Sequence, residues 1–90
     1  MLYFKILLYA VLFLMAKAHI VEPKAIELLG DNVRKYRIKA NISQTMLAEL
    51  VGVTYSQIAR IELAEINTSV SMIYLIAKAL EIKASQLLEE

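Results

Sequence analysis

The sequence predicts an all-α protein: one domain of five helices over residues 23–90, behind an apolar extension over residues 1–22. Three observations predict it. Apolar residues recur at helical spacing in the stretches 26–40 and 70–80. Helix-starting residues stand where helices are needed: Pro23, Ser43, Thr54, and Thr68 or Ser69. Between the two periodic stretches runs SQTMLAELVGVTYSQIARIE, Ser43 to Glu62, which reads as two short helices around a tight turn. Ninety residues without a break in composition suit a single domain.

The extension comes first. Residues 1–16, MLYFKILLYAVLFLMA, fit no soluble fold, yet the unbroken apolar run from Ile6 to Ala16 is 11 residues, short of the roughly 20 a membrane span needs. Lys5, the apolar run and Ala16-Lys17-Ala18 imitate a signal peptide. Translation starting at Met15 would leave an ordinary polar N-terminus, MAKAHIVEPK, and residues 1–14 outside the protein. A genuine anchor or partner-binding helix is the remaining alternative. The start at Met15 is the expectation, and no membrane is expected as a partner. His19 is a lone histidine in a tail with no second ligand near it, so no metal site is expected.

Pro23 suits the first turn of a helix, and Glu22 favours its positive end. That helix should run over about 24–39, with Ile26, Leu29, Val33, Tyr36 and Ala40 facing the core. Gly30 interrupts the pattern at a cost of about 1 kcal/mol relative to Ala and is read as a break before Asp31. Asn41-Ile42 makes the next turn, and Ser43 caps a helix running to about residue 50. Ala48 is the small residue where the following helix crosses, Gly52 supplies the positive φ of the reversal, and Ile58 anchors that following helix. Thr54-Tyr55-Ser56-Gln57 has capping-box spacing, so a helix starts there and runs over about 55–61. Ile58 and Ile61 should face in; Tyr55, Ser56, Ala59 and Arg60 should face out. Beyond it, a helix over about 70–80 should bury Val70, Ile73, Ile76, Ala77 and Leu80. Met72, Tyr74 and Leu75, with Leu87 and Leu88 of a short helix over about 84–88, exceed one core face and suggest a homodimer surface.

Charge narrows the function. Net charge is only +1, but Arg34, Lys35, Arg37, Lys39 and Arg60 face a single acid, Glu49, between residues 34 and 61. Five acids follow from Glu62 onward (Glu62, Glu65, Glu81, Glu89 and Glu90) against Lys78 and Lys83. A basic middle and an acidic tail suit one phosphate-facing side. An enzyme has little support: there is no cysteine, the one histidine lies outside the domain, and no Gly-rich phosphate loop or cluster of carboxylates is present. No cofactor is expected.

Ser43-Gln44-x-x-Leu47-Ala48, Gly52-Val53-Thr54 and Ile58-x-x-Ile61-Glu62 resemble the phage repressor and Cro type of helix-turn-helix, the lambda-repressor-like domain. Leu29-Gly30-x-x-Val33-Arg34-x-x-Arg37 before the motif and Ile76-Ala77-x-Ala79-Leu80-x-Ile82 after it extend the likeness over about residues 26–88. The resemblance implies a second motif helix that enters a DNA major groove. Tyr55 and Ser56 at its start and Arg60 one turn on would reach base edges. Gln44 would donate to a phosphate and brace that helix; Gln57 would turn towards phosphate unless its amide serves the Thr54 cap. Arg37 and Glu62 would pair across the domain, so Arg37 would be structural. Met46, Ala64 and Glu65 depart from the family pattern, which leaves backbone contacts near the end of the motif to Asn67, Thr68, Ser69 or main-chain amides.

The implied function is sequence-specific regulation of transcription in the cytoplasm. The partners would be double-stranded DNA, bound at an inverted-repeat operator, and a second copy of the chain. A free-standing repressor, an antitoxin repressing its own operon and a restriction-modification controller all fit. The alternative is a protein-interaction module, for example an antitoxin-like partner binder, that kept the fold without DNA; near-neutral charge and Glu65 favour it, and salt-dependent DNA binding discriminates.

Overall fold

The structure is a computed structural model that describes residues 2–18 and 20–90; His19 lies outside the described residues. The described chain is helical throughout, with no strand: α1 (Leu2–Ala18), α2 (Pro23–Lys39), α3 (Gln44–Val51), α4 (Tyr55–Glu62), α5 (Val70–Ala79) and a closing 3-10 helix (Ala84–Leu88). The extension is thus itself helical. Every side chain over residues 2–15 is exposed, and none joins the core. No helix among the described residues is long and apolar enough to cross a membrane.

Local chemistry sets each helix end. Glu22 caps α2, its carboxylate accepting the Lys24 amide at 3.0 Å ahead of Pro23. The hydroxyls of Ser43 and Ser69 accept from the amides of Met46 and Met72, each satisfying a donor with no partner inside its helix. Helix exits are equally regular. Asn41, Ala64 and Glu81 take left-handed φ values of 59°, 58° and 57°. After each, an amide reaches back five residues: Ile42 to the Arg37 carbonyl, Glu65 to Arg60 and Ile82 to Ala77. These are Schellman endings built without glycine. Gly52, at φ 88°, makes the fourth exit.

α2 packs on α4 and on the closing helix, α3 on α4 and α5, and α5 on the closing helix. Leu47, Ile58, Ile61, Ile76, Leu87 and Val33 are fully enclosed at the centre. Burying a side chain of this size contributes about 1.5–3 kcal/mol, so helices too short to persist alone in water hold each other in place. Asn32 is the buried polar side chain among the described residues. Its amide donates to the carbonyls of Leu87 at 3.0 Å and Glu89 at 2.8 Å, tying the chain's end to α2.

Several expectations from periodicity change here. α2 runs unbroken through Gly30, because the glycine serves a close approach and not a break. Ala40 is exposed, since it is the C-cap where the chain leaves the core. Val70, at 82% exposure, is the first residue of α5 and stands outside the core. Leu87 is enclosed whereas Leu88 is exposed, so the closing helix divides between core and surface.

Because the side chains described in α1, those of residues 2–15, contribute nothing to this core, a fragment of residues 15–90 is expected to keep the helical signal of the domain and its melting temperature. Circular dichroism and sedimentation of that fragment beside the full chain check it. A lower melting temperature, or loss of a dimer formed by the full chain, would make α1 part of the fold.

Candidate nucleic-acid interface

α4 is amphipathic in a way that decides what it can show. Ile58 and Ile61 are enclosed, Ala59 and Glu62 are half-buried, and Tyr55, Ser56, Gln57 and Arg60 are exposed. Ala59 therefore lies nearer the core than its spacing suggests. Tyr55 and Ser56 occupy the first turn, where helix amides lack intrahelical partners and anions are favoured. Arg60 follows in the next turn, on the same exposed side.

The start of α4 is held by a complete capping box. The Thr54 hydroxyl accepts the Gln57 amide N–H at 3.3 Å, and the Gln57 carbonyl oxygen accepts the Thr54 amide at 3.1 Å. Gln57 thus spends its oxygen on the cap and keeps its NH2 group for an outside acceptor. Both demands placed on it by the sequence are compatible.

The other end of α4 is locked by charge. Arg37 Nε donates to Glu62 Oε2 at 2.7 Å and Arg37 Nη2 to Glu62 Oε1 at 3.1 Å, a fork with both partners nearly enclosed, at 13% and 3% side-chain exposure. Arg37 Nη1 donates to the Ile42 carbonyl at 2.9 Å, fastening the α2–α3 turn as well. The hydrogen bond to Glu62 raises the Arg37 pKa above its already high value, against the opposing effect of burial. The guanidinium stays charged. Gln44 joins from the first turn of α3, donating its Nε2 to Glu62 Oε1 at 3.1 Å. One carboxylate therefore gathers α2, α3 and α4. Ile42 was not visible as a partner in the sequence, because a backbone acceptor leaves no residue-type signal.

The sites expected from sequence fall in two places. Gln44, Thr54, Tyr55, Ser56, Gln57 and Arg60 belong to α3, α4 and the turn joining them. Asn67 and Thr68 lie in the loop after α4, beside a groove of about 260 Å³ bounded by Ile20, Ile26, Ile66 and Leu88. Along the chain, α4, a helix of eight residues or about 12 Å in length, separates them from the other group. Of the basic residues, Lys35 lies over the Tyr36 ring at 4.9 Å. Arg34, Lys39 and Arg60 are exposed.

Residues 33–87 match a family described as helix-turn-helix. The control protein C.SmaI of Serratia marcescens is 40% identical over 62 residues, which span 69% of this chain and 74% of that protein. Solved structures share the fold as well. The restriction-modification controller C.AhdI of Aeromonas hydrophila superposes with a TM-score of 0.67 at 31% identity, over 69% of this chain and 94% of its own. A hypothetical transcription factor, NHTF, from Neisseria superposes with a TM-score of 0.71 at 28% identity, over 79% and 83%.

Proposed function

This chain belongs to the phage repressor and Cro type of helix-turn-helix family, DNA-binding regulators of transcription, and from that premise we propose that it binds an inverted-repeat operator as a dimer, with α4 as the base-reading helix. One observation carries the proposal. α4 sinks Ile58 and Ile61 into the core and holds Tyr55, Ser56 and Arg60 outward from a helix capped at its start and clamped at its end.

The chemistry of each exposed residue supplies its role. Arg60 matches guanine O6 and N7 with two parallel donors. Tyr55 offers ring carbon to a thymine methyl or its hydroxyl to a base or phosphate, and Ser56 a small hydroxyl at the helix start. Gln44 at the start of α3, and Thr54 and the NH2 group of Gln57 at the start of α4, suit phosphate oxygens, which position the protein without specifying sequence. Asn67 and Thr68 would extend the backbone contacts past the end of α4. With DNA as the target, the work would be done in the cytoplasm.

The dimer is supported by the outer face of α5. Val70 and Tyr74 lie one helical turn apart, at 82% and 60% exposure, with the exposed Leu75 beside them. Tyr74→Glu is expected to turn a dimer into a monomer in sedimentation at micromolar concentration and to weaken operator binding, while leaving the helical signal unchanged. A variant that still sediments as the parent does would remove α5 from the interface. Among regulators, the likeness to the restriction-modification controller C.AhdI favours that role over a free-standing repressor or an antitoxin.

Titration on a preferred and a scrambled duplex at two salt concentrations tests the proposal. With few exposed cations near α4, the salt slope should be shallow for each protomer. No preference for any duplex, with no salt dependence, would instead favour a protein-interaction module, for which Glu65 and the net charge of +1 are the supporting features.

A further inference from the structure

Gly30 lies midway along α2, buried where the helix backbone meets the last turn of α4. A methyl group on its Cα would stand 2.6 Å from the Ile61 carbonyl oxygen, 3.0 Å from that of Glu62 and 3.3 Å from the Glu62 carbonyl carbon. All three are backbone atoms, so no change of rotamer makes room. The Ile61 oxygen already accepts the Ala64 amide at 3.1 Å in the turn that ends α4. The Glu62 side chain is gripped by Arg37 and Gln44. The end of α4 therefore has no local escape.

Gly30, Val33 and Arg37 share one face of α2, at the spacing that aligns side chains along a helix. We infer that this face is a gauge that sets where the base-reading helix stands. Gly30 admits the end of α4 to backbone contact, Val33 fills the space between, and the Arg37 fork locks Glu62. Gly30 is thus a positioning residue for sequence reading, acting through the α4 backbone. Tyr55 lies six residues from Ile61, about 9 Å along a stiff short helix. A shift imposed at the gauge is carried to the residues that face the bases. The inference rests on the proposed DNA-reading role of α4.

Full-length Gly30→Ala and the parent protein, both folded by circular dichroism at the binding temperature, are titrated on a preferred and a scrambled duplex. The ratio of affinities is expected to fall about tenfold, the discrimination of roughly one good base contact. Binding to the scrambled duplex should change little. A change that only destabilised the fold would lower binding to both duplexes by the same unfolded fraction and leave the ratio intact. An unchanged ratio overturns the inference. Should Gly30→Ala not fold, Arg37→Lys, which keeps the charge and gives up the fork, reads the gauge from its other point, with the same fall expected and the same contrary outcome. If the parent itself prefers no duplex, the DNA-reading proposal fails and this inference falls with it; if the parent discriminates and the variants do so equally, the inference alone fails.

Discussion

Arg37→Ala is expected to lower the melting temperature of the domain by at least about 12 °C, from a loss of about 3–5 kcal/mol. The loss has a specific origin. The Glu62 side chain is 3% exposed and receives two of its hydrogen bonds from the Arg37 fork, so removing the guanidinium leaves a nearly enclosed carboxylate held by Gln44 alone. The Ile42 carbonyl loses its donor in the same step. For small domains, with total stability of about 5–15 kcal/mol, such a loss is a large share. Thermal unfolding followed by circular dichroism measures it. Arg37→Ala with parental stability but no DNA binding would make Arg37 a DNA contact instead of a structural tie.

Arg60→Ala is expected to cost about 1–3 kcal/mol on the preferred duplex and little on a scrambled one. The Arg60 side chain is exposed and makes no hydrogen bond or ion pair among the described residues, so its removal should leave stability alone. Ser56→Ala should behave similarly at its own base position. Gln44→Ala is expected to weaken binding to both duplexes about equally, because phosphate contacts position without specifying. It also withdraws one donor from Glu62, so its melting curve has to be read beside its titration. If Arg60→Ala, Ser56→Ala and Tyr55→Ala all preserve the preference, α4 does not read the bases.

The features legible in the sequence were those whose physics is local. Thr54 and Gln57 meet within one helical turn, so their spacing announced the capping box. Gly52 stood at a reversal that needs positive φ, and Ser43 before a helix that needed a cap. Arg37 and Glu62 are 25 positions apart; no spacing rule joins them, and the family resemblance alone suggested the pair. Gly30 reads as a helix break in the sequence because its use lies in another helix: the backbone of α4, not the conformation of α2, demands a missing side chain there. Val70 continues the apolar pattern past the point where neighbours cover it, whereas Leu87, read as surplus surface, is enclosed. Periodicity tells which face of a helix is apolar, but the packing partner decides where burial ends. Asn32 stood beside the apolar stripe of α2, an unused sign that something polar had to meet it, namely the carbonyls at the chain's end.

Selection of bound sequences from a random duplex pool by the full-length protein tests the central claim most directly. Two copies of α4 related by a two-fold axis would meet the major groove about 34–36 Å apart. The predicted result is an enriched inverted repeat whose half-sites are centred about one helical turn, 10–10.5 base pairs, apart. Enrichment of no sequence, or of a single direct element without two-fold symmetry, would contradict it.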